Sequence, residues 1–371
     1  AGLGRLAAAW RRQLPARLVA ITGSNGKTTC KEMIAAVLAR AGRVLATRGN
    51  LNNDIGMPLT LLGARAEDFL VLEMGANHPG EIGYLTDIAR PDVAVITNAG
   101  RAHLEGFGSL KGVARAKGEI ARGPDGQGTF IVPSDSPWTG LWRELAQGSR
   151  MLTCGPDDAA DVRAPEDGVV TTWDETGFRT RFRVAADGGA QELALPLAGR
   201  HNVRNALFAV AVARVLGVPS EAVRAALAGL QPVPGRLCPR LGAGGMRLID
   251  DSYNANPESL RAAIEVLVGL PGRHWLVLGD LGELGVEARG LHREMGAAAR
   301  AAGVDALYAV GELSAEAVDG IGAGGRHFPD QAALIAALHP ALGPGDLVLV
   351  KGSRLAAMDK VADALCSAQE A

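Results

Sequence analysis

The sequence predicts an α/β protein of two domains. Three observations carry this. Short apolar runs alternate with helical stretches, a Pro- and Gly-rich stretch interrupts the alternation, and a second alternating series follows it. The 371 residues are 47% hydrophobic and 21% charged, enough apolar material to bury two sizeable cores.

Residues 1–16 read as a surface helix leading into the first strand, because Arg11 and Arg12 break the apolar pattern that a targeting segment needs. Apolar runs at 17–22, 43–47, 68–75 and 92–98 read as buried strands, and 27–40, 79–90 and 109–122 as helices. That alternation implies a mostly parallel sheet covered on both faces. Residues 161–198 alternate polar and apolar positions around Gly turns, so a small antiparallel segment is expected. A helix over 202–216 closes the first series. Residues 230–245, "LQPVPGRLCPRLGAGG", read as a linker and hinge. Strands at 246–250, 274–279, 306–310 and 346–350, separated by helices, predict a second, Rossmann-like α/β domain. The expected domains are 1–233 and 234–371.

Charge and cysteine usage exclude several classes. The net charge of −2 provides no basic excess for a nucleic-acid backbone. Cys30, Cys154, Cys238 and Cys366 lie far apart, so neither a zinc site nor a disulfide framework is expected, and a reducing, cytoplasmic setting fits. No apolar run reaches the length of about 18 residues that a membrane span needs. A monomer is expected.

The chemistry begins at "ITGSNGKTTCKEMIAAVL". An apolar strand ends in Thr22, Gly23, Ser24, Asn25, Gly26, Lys27, Thr28 and Thr29, and an amphipathic helix follows at once. Strand, Gly-rich turn and helix are the context of a phosphate loop. Gly23 and Gly26 let backbone N–H groups turn toward an anion, and the helix N-terminus adds partial positive charge. Lys27 would reach the β- and γ-phosphates, and Thr28 would offer its hydroxyl to Mg²⁺. The common spacing places a further Gly where this chain has Ile21, so the loop is a variant. ATP is the expected nucleotide, and the loop alone leaves kinases, GTPases, ATPases and ligases open.

Glu73 ends the next strand but one, at the edge where ligands sit in open α/β sheets. A carboxylate there suits Mg²⁺, and a solvated strand-end Glu fits the same pattern. His103 follows another strand. Lys117 lies in a helix, where spacing alone does not distinguish it from Lys111.

Read together, these segments resemble the Mur ligase family of bacterial cell-wall synthesis. The resemblance rests on "TGSNGKTT", "GNLNNDIGMPLTLL", "EMGANHPGEI", "AHLEGFGSLKGVARAKGEI", "GRHNVRNAL", "VPGRL", "DDSYNANPESL", "LGDLGELG" and "VKGSR". It implies an ATP-dependent, ADP-forming amide ligase working through an acyl phosphate. The pattern is similar to the branch that joins D-alanyl-D-alanine to UDP-N-acetylmuramoyl-tripeptide, which makes these two the implied small-molecule partners. The family carries a further N-terminal uridine-nucleotide domain, expected to be absent because the chain starts just upstream of the loop.

The resemblance also implies roles. Lys27, His103 and Lys117 would be catalytic, and two Mg²⁺ ions would be held by Thr28, Glu73, His103 and a carbamylated Lys117. Asn202 and Asn205 would contact adenine, and Arg236 and Asp251 would close over the nucleotide, the Asp on the ribose. Asn50, Asn52 and Asn53 would face the muramoyl peptide. Tyr253, Asn254, Asn256, Glu283, Lys351, Ser353 and Arg354 are the candidates for the incoming substrate. Capping and turn chemistry explain several of these equally, Asn202 and Asn256 among them. A sister ligase, a folate polyglutamate ligase and a non-catalytic ATP-binding partner remain alternatives.

Overall fold

The computed structural model describes residues 2–101, 104–123, 128–146, 148–186 and 188–367. The chain forms two compact units, Ala1–Val170 with Arg181–Leu195 and Arg200–Leu230, and Thr171–Thr180 with Pro196–Gly199 and Gln231–Ala371.

The first series runs α1 (Gly2–Arg11), β1 (Arg17–Thr22), α2 (Lys27–Leu38), β2 (Val44–Ala46), α3 (Gly56–Gly63), β3 (Phe69–Glu73), α4 (Glu81–Ala89) and β4 (Val93–Ile96). It continues with α5 (Leu104–Phe107), α6 (Leu110–Gly118), β5 (Thr129–Pro133), α7 (Thr139–Leu145), β6 (Arg150–Gly155), β7 (Val162–Arg163), β8 (Val170–Asp174), β9 (Gly177–Ala186), β10 (Gly189–Leu195), α8 (Arg200–Leu216) and α9 (Ser220–Ala228). The strand order is β10-β9-β7-β6-β5-β4-β1-β3-β2, with β8 on β9. From β2 to β7 all pairings are parallel, and β9 joins β7 antiparallel.

Strand β1 lies between β3 and β4, with Ile21 opposite Glu73 and Thr22 opposite Ile96. Leu18 and Ala20 enter one core with Leu70, Leu72, Ala94 and Ile96. Val19 and Ile21, of opposite parity, are equally buried. A strand covered on both faces must be apolar throughout, which is why "LVAI" shows no alternation. The chain leaves β1 toward β2 on one side and later returns to β4 on the other. The crevice at the C-terminal end of β1 is therefore the switch point where α/β sheets take ligands.

The second unit contains β11 (Cys238–Leu241), β12 (Arg247–Asp251), α10 (Pro257–Val268), β13 (Arg273–Gly279), α11 (Ala288–Ala302), β14 (Ala306–Val310), α12 (Ser314–Ile321), β15 (Gly325–Phe328), α13 (Gln331–Leu338), β16 (Asp346–Lys351) and α14 (Asp359–Cys366). Its strand order is β11-β12-β16-β13-β14-β15, parallel except for β11. Separate apolar clusters cover its faces, one around Ile249, Leu276 and Leu349, the other around Leu248, Val277 and Val350. The stretch expected as linker differs in one respect, since Cys238–Leu241 pairs with β12. Pro239 is tolerated there because β11 is an edge strand, where a missing N–H costs little. Among the described residues no helix is long and apolar enough to cross a membrane.

Candidate active site

The phosphate loop connects β1 to α2 at the switch point. Gly26 sits at the start of α2 with φ 78° and ψ −4°, a left-handed conformation that suits glycine. A Cβ on Gly26 would lie 2.8 Å from Asn205 Oδ1, and one on Gly23 only 2.0 Å from Thr97 Oγ1. Both glycines are thus required by close packing as well as by the turn.

The loop is held from β4's end. The Asn98 side chain grips the Asn25 backbone from both sides, its Oδ1 accepting from N–H at 2.9 Å and its Nδ2 donating to the carbonyl at 3.0 Å. Thr97 Oγ1 donates to the same carbonyl at 2.6 Å. Ser24 N–H donates to the Asn98 carbonyl, and the Ser24 hydroxyl accepts from Gly100 N–H at 2.9 Å. Lys27 Nζ arches over the loop and donates to the carbonyls of Gly23 at 2.7 Å and Ser24 at 3.3 Å. Thr28 and Thr29 follow in the first turn of α2, where helix N–H groups lack carbonyls one turn back.

Glu73 meets this loop from β3. It is 3% exposed, and its carboxylate accepts from Thr28 Oγ1 at 2.9 Å and from Asn52 Nδ2 at 2.8 Å. Its N–H donates to Thr47 Oγ1 at 2.9 Å. The Thr47 carbonyl in turn accepts from Lys31 Nζ, a buried ammonium that also pairs with Glu32. A buried carboxylate touching the loop hydroxyl is a donor pair suited to a hard cation such as Mg²⁺. Among the described residues no three His, Cys, Asp or Glu side chains gather as a metal cluster.

Lys117 lies in α6, 1% exposed, with Nζ 5.3 Å from the Phe107 ring centre. Burial pushes its ammonium from the ordinary 10.5 down to about 7. The charge of Lys27 acts in the same direction, and Glu81 and Glu119 act against it. A buried amine half neutral near pH 7 is a nucleophile able to add CO₂, so its chemistry fits a carbamate. His103 lies outside the described residues.

Asn202 and Asn205 are buried at the start of α8, with Asn205 Nδ2 donating to Asn202 Oδ1 at 3.3 Å. Asn205 packs beneath Gly26, so it supports the loop directly. Of the Asn-rich segment, Asn52 is committed to Glu73, Asn53 Oδ1 accepts from Gly56 N–H at 2.8 Å at the start of α3, and Asn50 is exposed.

In the second unit, β12 and β16 end side by side. The buried Lys351 ammonium pairs with Asp251 Oδ2 at 2.5 Å and donates to the Asn254 carbonyl at 2.9 Å. Asp251 Oδ1 accepts from Leu237 N–H at 3.1 Å. Arg236 stacks 4.2 Å and Arg354 5.2 Å from the Tyr253 ring centre. Asn256 caps α10 in a capping box with Ser259, which accounts for its residue type without a ligand. Ser353 is buried, its N–H on the Asp280 carbonyl, and Glu283 is exposed with φ 60°. His292 anchors this last loop. It is fully buried, Nε2 accepting from Leu281 N–H at 2.9 Å while Nδ1 faces the Ala288 carbonyl at 2.7 Å.

Sequence reasoning missed Thr97, Asn98, Thr47, Lys31 and His292. For Thr97 and Asn98 a signal existed, because "TN" ends a buried strand just as Glu73 does.

The comparisons with known proteins agree with this geometry. The Mur ligase middle domain model matches residues 21–213, and the Mur ligase, glutamate ligase domain model matches 235–354. The UDP-N-acetylmuramoyl-tripeptide–D-alanyl-D-alanine ligase of Escherichia coli is 46% identical over 365 residues, covering 98% of this chain and 79% of the relative. A crystal structure of MurF from Acinetobacter baumannii superposes with TM-score 0.91 at 39% identity, covering 98% of this chain and 80% of that one. MurF ligase from Thermotoga maritima in complex with ADP superposes with TM-score 0.88 at 30% identity, over 98% of this chain and 82% of that one. With the phosphate loop, its hydroxyl–carboxylate pair and both domain models in agreement, the chain belongs to the Mur ligase family.

Proposed function

We propose that this chain joins D-alanyl-D-alanine to UDP-N-acetylmuramoyl-tripeptide, consuming ATP and releasing ADP and phosphate, in peptidoglycan precursor synthesis. The observation that carries the reading is the 46% identity, across 98% of the chain, to a relative with that name. We assign residues 1–233 to the ATP-binding domain and 234–371 to the domain presenting the dipeptide. Cytoplasmic action as a monomer belongs to the same proposal, and the four free cysteines fit a reducing compartment.

The chemistry joins two anions before it joins a carboxyl to an amine. A carboxylate oxygen of the tripeptide attacks the γ-phosphorus, and the bond to the ADP oxygen breaks with its electrons. Lys27, lying across the loop, and the N-terminus of α2 neutralise charge during this step. Thr28 and Glu73 would hold one Mg²⁺, and His103 with Lys117 a second. When bound, these ions supply positive charge at the phosphates. Lys117 would serve as a carbamate, its neutral amine adding to the carbon of CO₂ and losing a proton, which turns a cation into an oxygen donor. The dipeptide amine then attacks the acyl carbon and loses a proton, and phosphate leaves. Asn205 and Asn98 keep the loop shape through both steps. Asp251 would take the nucleotide's ribose.

Lys27→Ala tests the reading. Phosphate release that depends on both tripeptide and dipeptide should fall to background in this variant. Turnover equal to the parent would refute the role of the loop.

A further inference from the structure

The motif "VKGSR" supplies a lysine that the sequence offers as a contact for the incoming substrate, and its surroundings fit another role. Lys351 is 2% exposed, so its ammonium is withdrawn from solvent. It ends β16 opposite Asp251, which ends the adjacent parallel strand β12. Its ammonium donates to Asp251 Oδ2 at 2.5 Å and to the Asn254 carbonyl at 2.9 Å. The other oxygen of Asp251 accepts from Leu237 N–H, whose residue holds a left-handed φ of 50°. Tyr253, between the two residues Lys351 grips, donates its N–H to the Gly235 carbonyl at 3.0 Å and carries the guanidiniums of Arg236 and Arg354.

We propose that Lys351 is a positioning residue and not a dipeptide contact: its buried ammonium fixes the Asp251 carboxylate and the 251–254 turn in the orientation that receives the ribose of the nucleotide. The inference rests on the reading of Asp251 in the proposed function. A buried carboxylate without a counter-ion favours its protonated form or swings toward water, and either change spoils it as an acceptor of two hydroxyls. Burial pushes Asp251 upward, and Lys351 is the main opposing charge, with Arg236 adding to it. Lys351 therefore acts through Asp251, and removing both should cost no more than removing one.

The test is a double-mutant cycle of Lys351→Met and Asp251→Asn, read by calorimetric titration with Mg²⁺-ADP and by the KM for D-alanyl-D-alanine. Each single variant should weaken ADP binding by about tenfold or more, and the double variant should match the weaker single within about twofold. The dipeptide KM should stay within about twofold of the parent. Lys351→Gln, which keeps a donor, repeats the measurement if the Met variant does not fold. An unchanged ADP affinity in the Lys351 variant together with a raised dipeptide KM overturns the inference in favour of direct dipeptide contact. Multiplying effects in the double variant overturn it too. An unchanged ADP affinity in Asp251→Asn instead refutes the ribose role, and the inference falls with it.

Discussion

Replacing Lys117 by methionine should make the protein more stable at neutral pH while abolishing ligation. The side chain is 1% exposed, and burial lowers its ammonium from 10.5 to about 7. At about 1.36 kcal/mol per pKa unit, carrying that charge costs the native state about 4–5 kcal/mol when it is fully protonated. The sign follows from proton counts. Between pH 7 and 10.5 the unfolded chain holds this proton and the native chain sheds it, so stability rises with pH across that window. Below pH 7 the whole penalty is present, and above 10.5 it vanishes. Methionine occupies similar volume beside Phe107 and carries no charge, so it escapes the penalty at the loss of a weak cation–π contact. The expected gain at pH 7 is about 2–4 kcal/mol, a rise in Tm on the order of 5–10 °C for a unit of this size. The assay is thermal unfolding of nucleotide-free protein in CO₂-depleted buffer from pH 6 to 10. The gain should be level below pH 7 and shrink as pH rises above it. A Lys117→Met variant less stable than the parent at pH 7, or a gain that persists undiminished at pH 10, would refute the reasoning.

Two further outcomes follow from the loop and its carboxylate. Glu73→Gln keeps acceptor and donor positions beside Thr28 and Asn52 but removes the charge. Calorimetry should show Mg²⁺-ADP affinity reduced by about 1.5–3 kcal/mol and metal-free ADP affinity unchanged. Gly26→Ala forces a left-handed residue whose Cβ meets Asn205 at 2.8 Å. Denaturant unfolding should report a loss of about 1–3 kcal/mol, and ATP affinity should fall with it.

The parts of the molecule that were legible in sequence are those whose signals are local. The strand, glycines, Lys27 and Thr28 lie within twelve residues, so the strand-turn-helix pattern is complete in that stretch. Glu73 was legible through topology, as a carboxylate ending a buried run. The supports were not, because they come from far along the chain. Asn98 lies 73 residues from the Asn25 backbone it grips, and Asn205 meets Gly26 from a helix whose sequence shows nothing of that packing. The burial of Lys351 is hidden for the same reason. A lysine ending a strand reads as exposed until Asp251, 100 residues earlier, is seen beside it. Pro239 hid β11, since a proline argues against a strand except at an edge, and edges are set by tertiary order.

The central claim is that the phosphate gripped at Lys27 is transferred to a peptide carboxylate destined for an amide. The most direct measurement is mass spectrometry of the product formed from ATP, UDP-N-acetylmuramoyl-tripeptide and D-alanyl-D-alanine, alongside the phosphate released. The account predicts one new amide, a muramoyl-pentapeptide, for each phosphate, and neither product when the dipeptide is omitted. Phosphate release without the amide, or equal incorporation of a different amino acid, would contradict it.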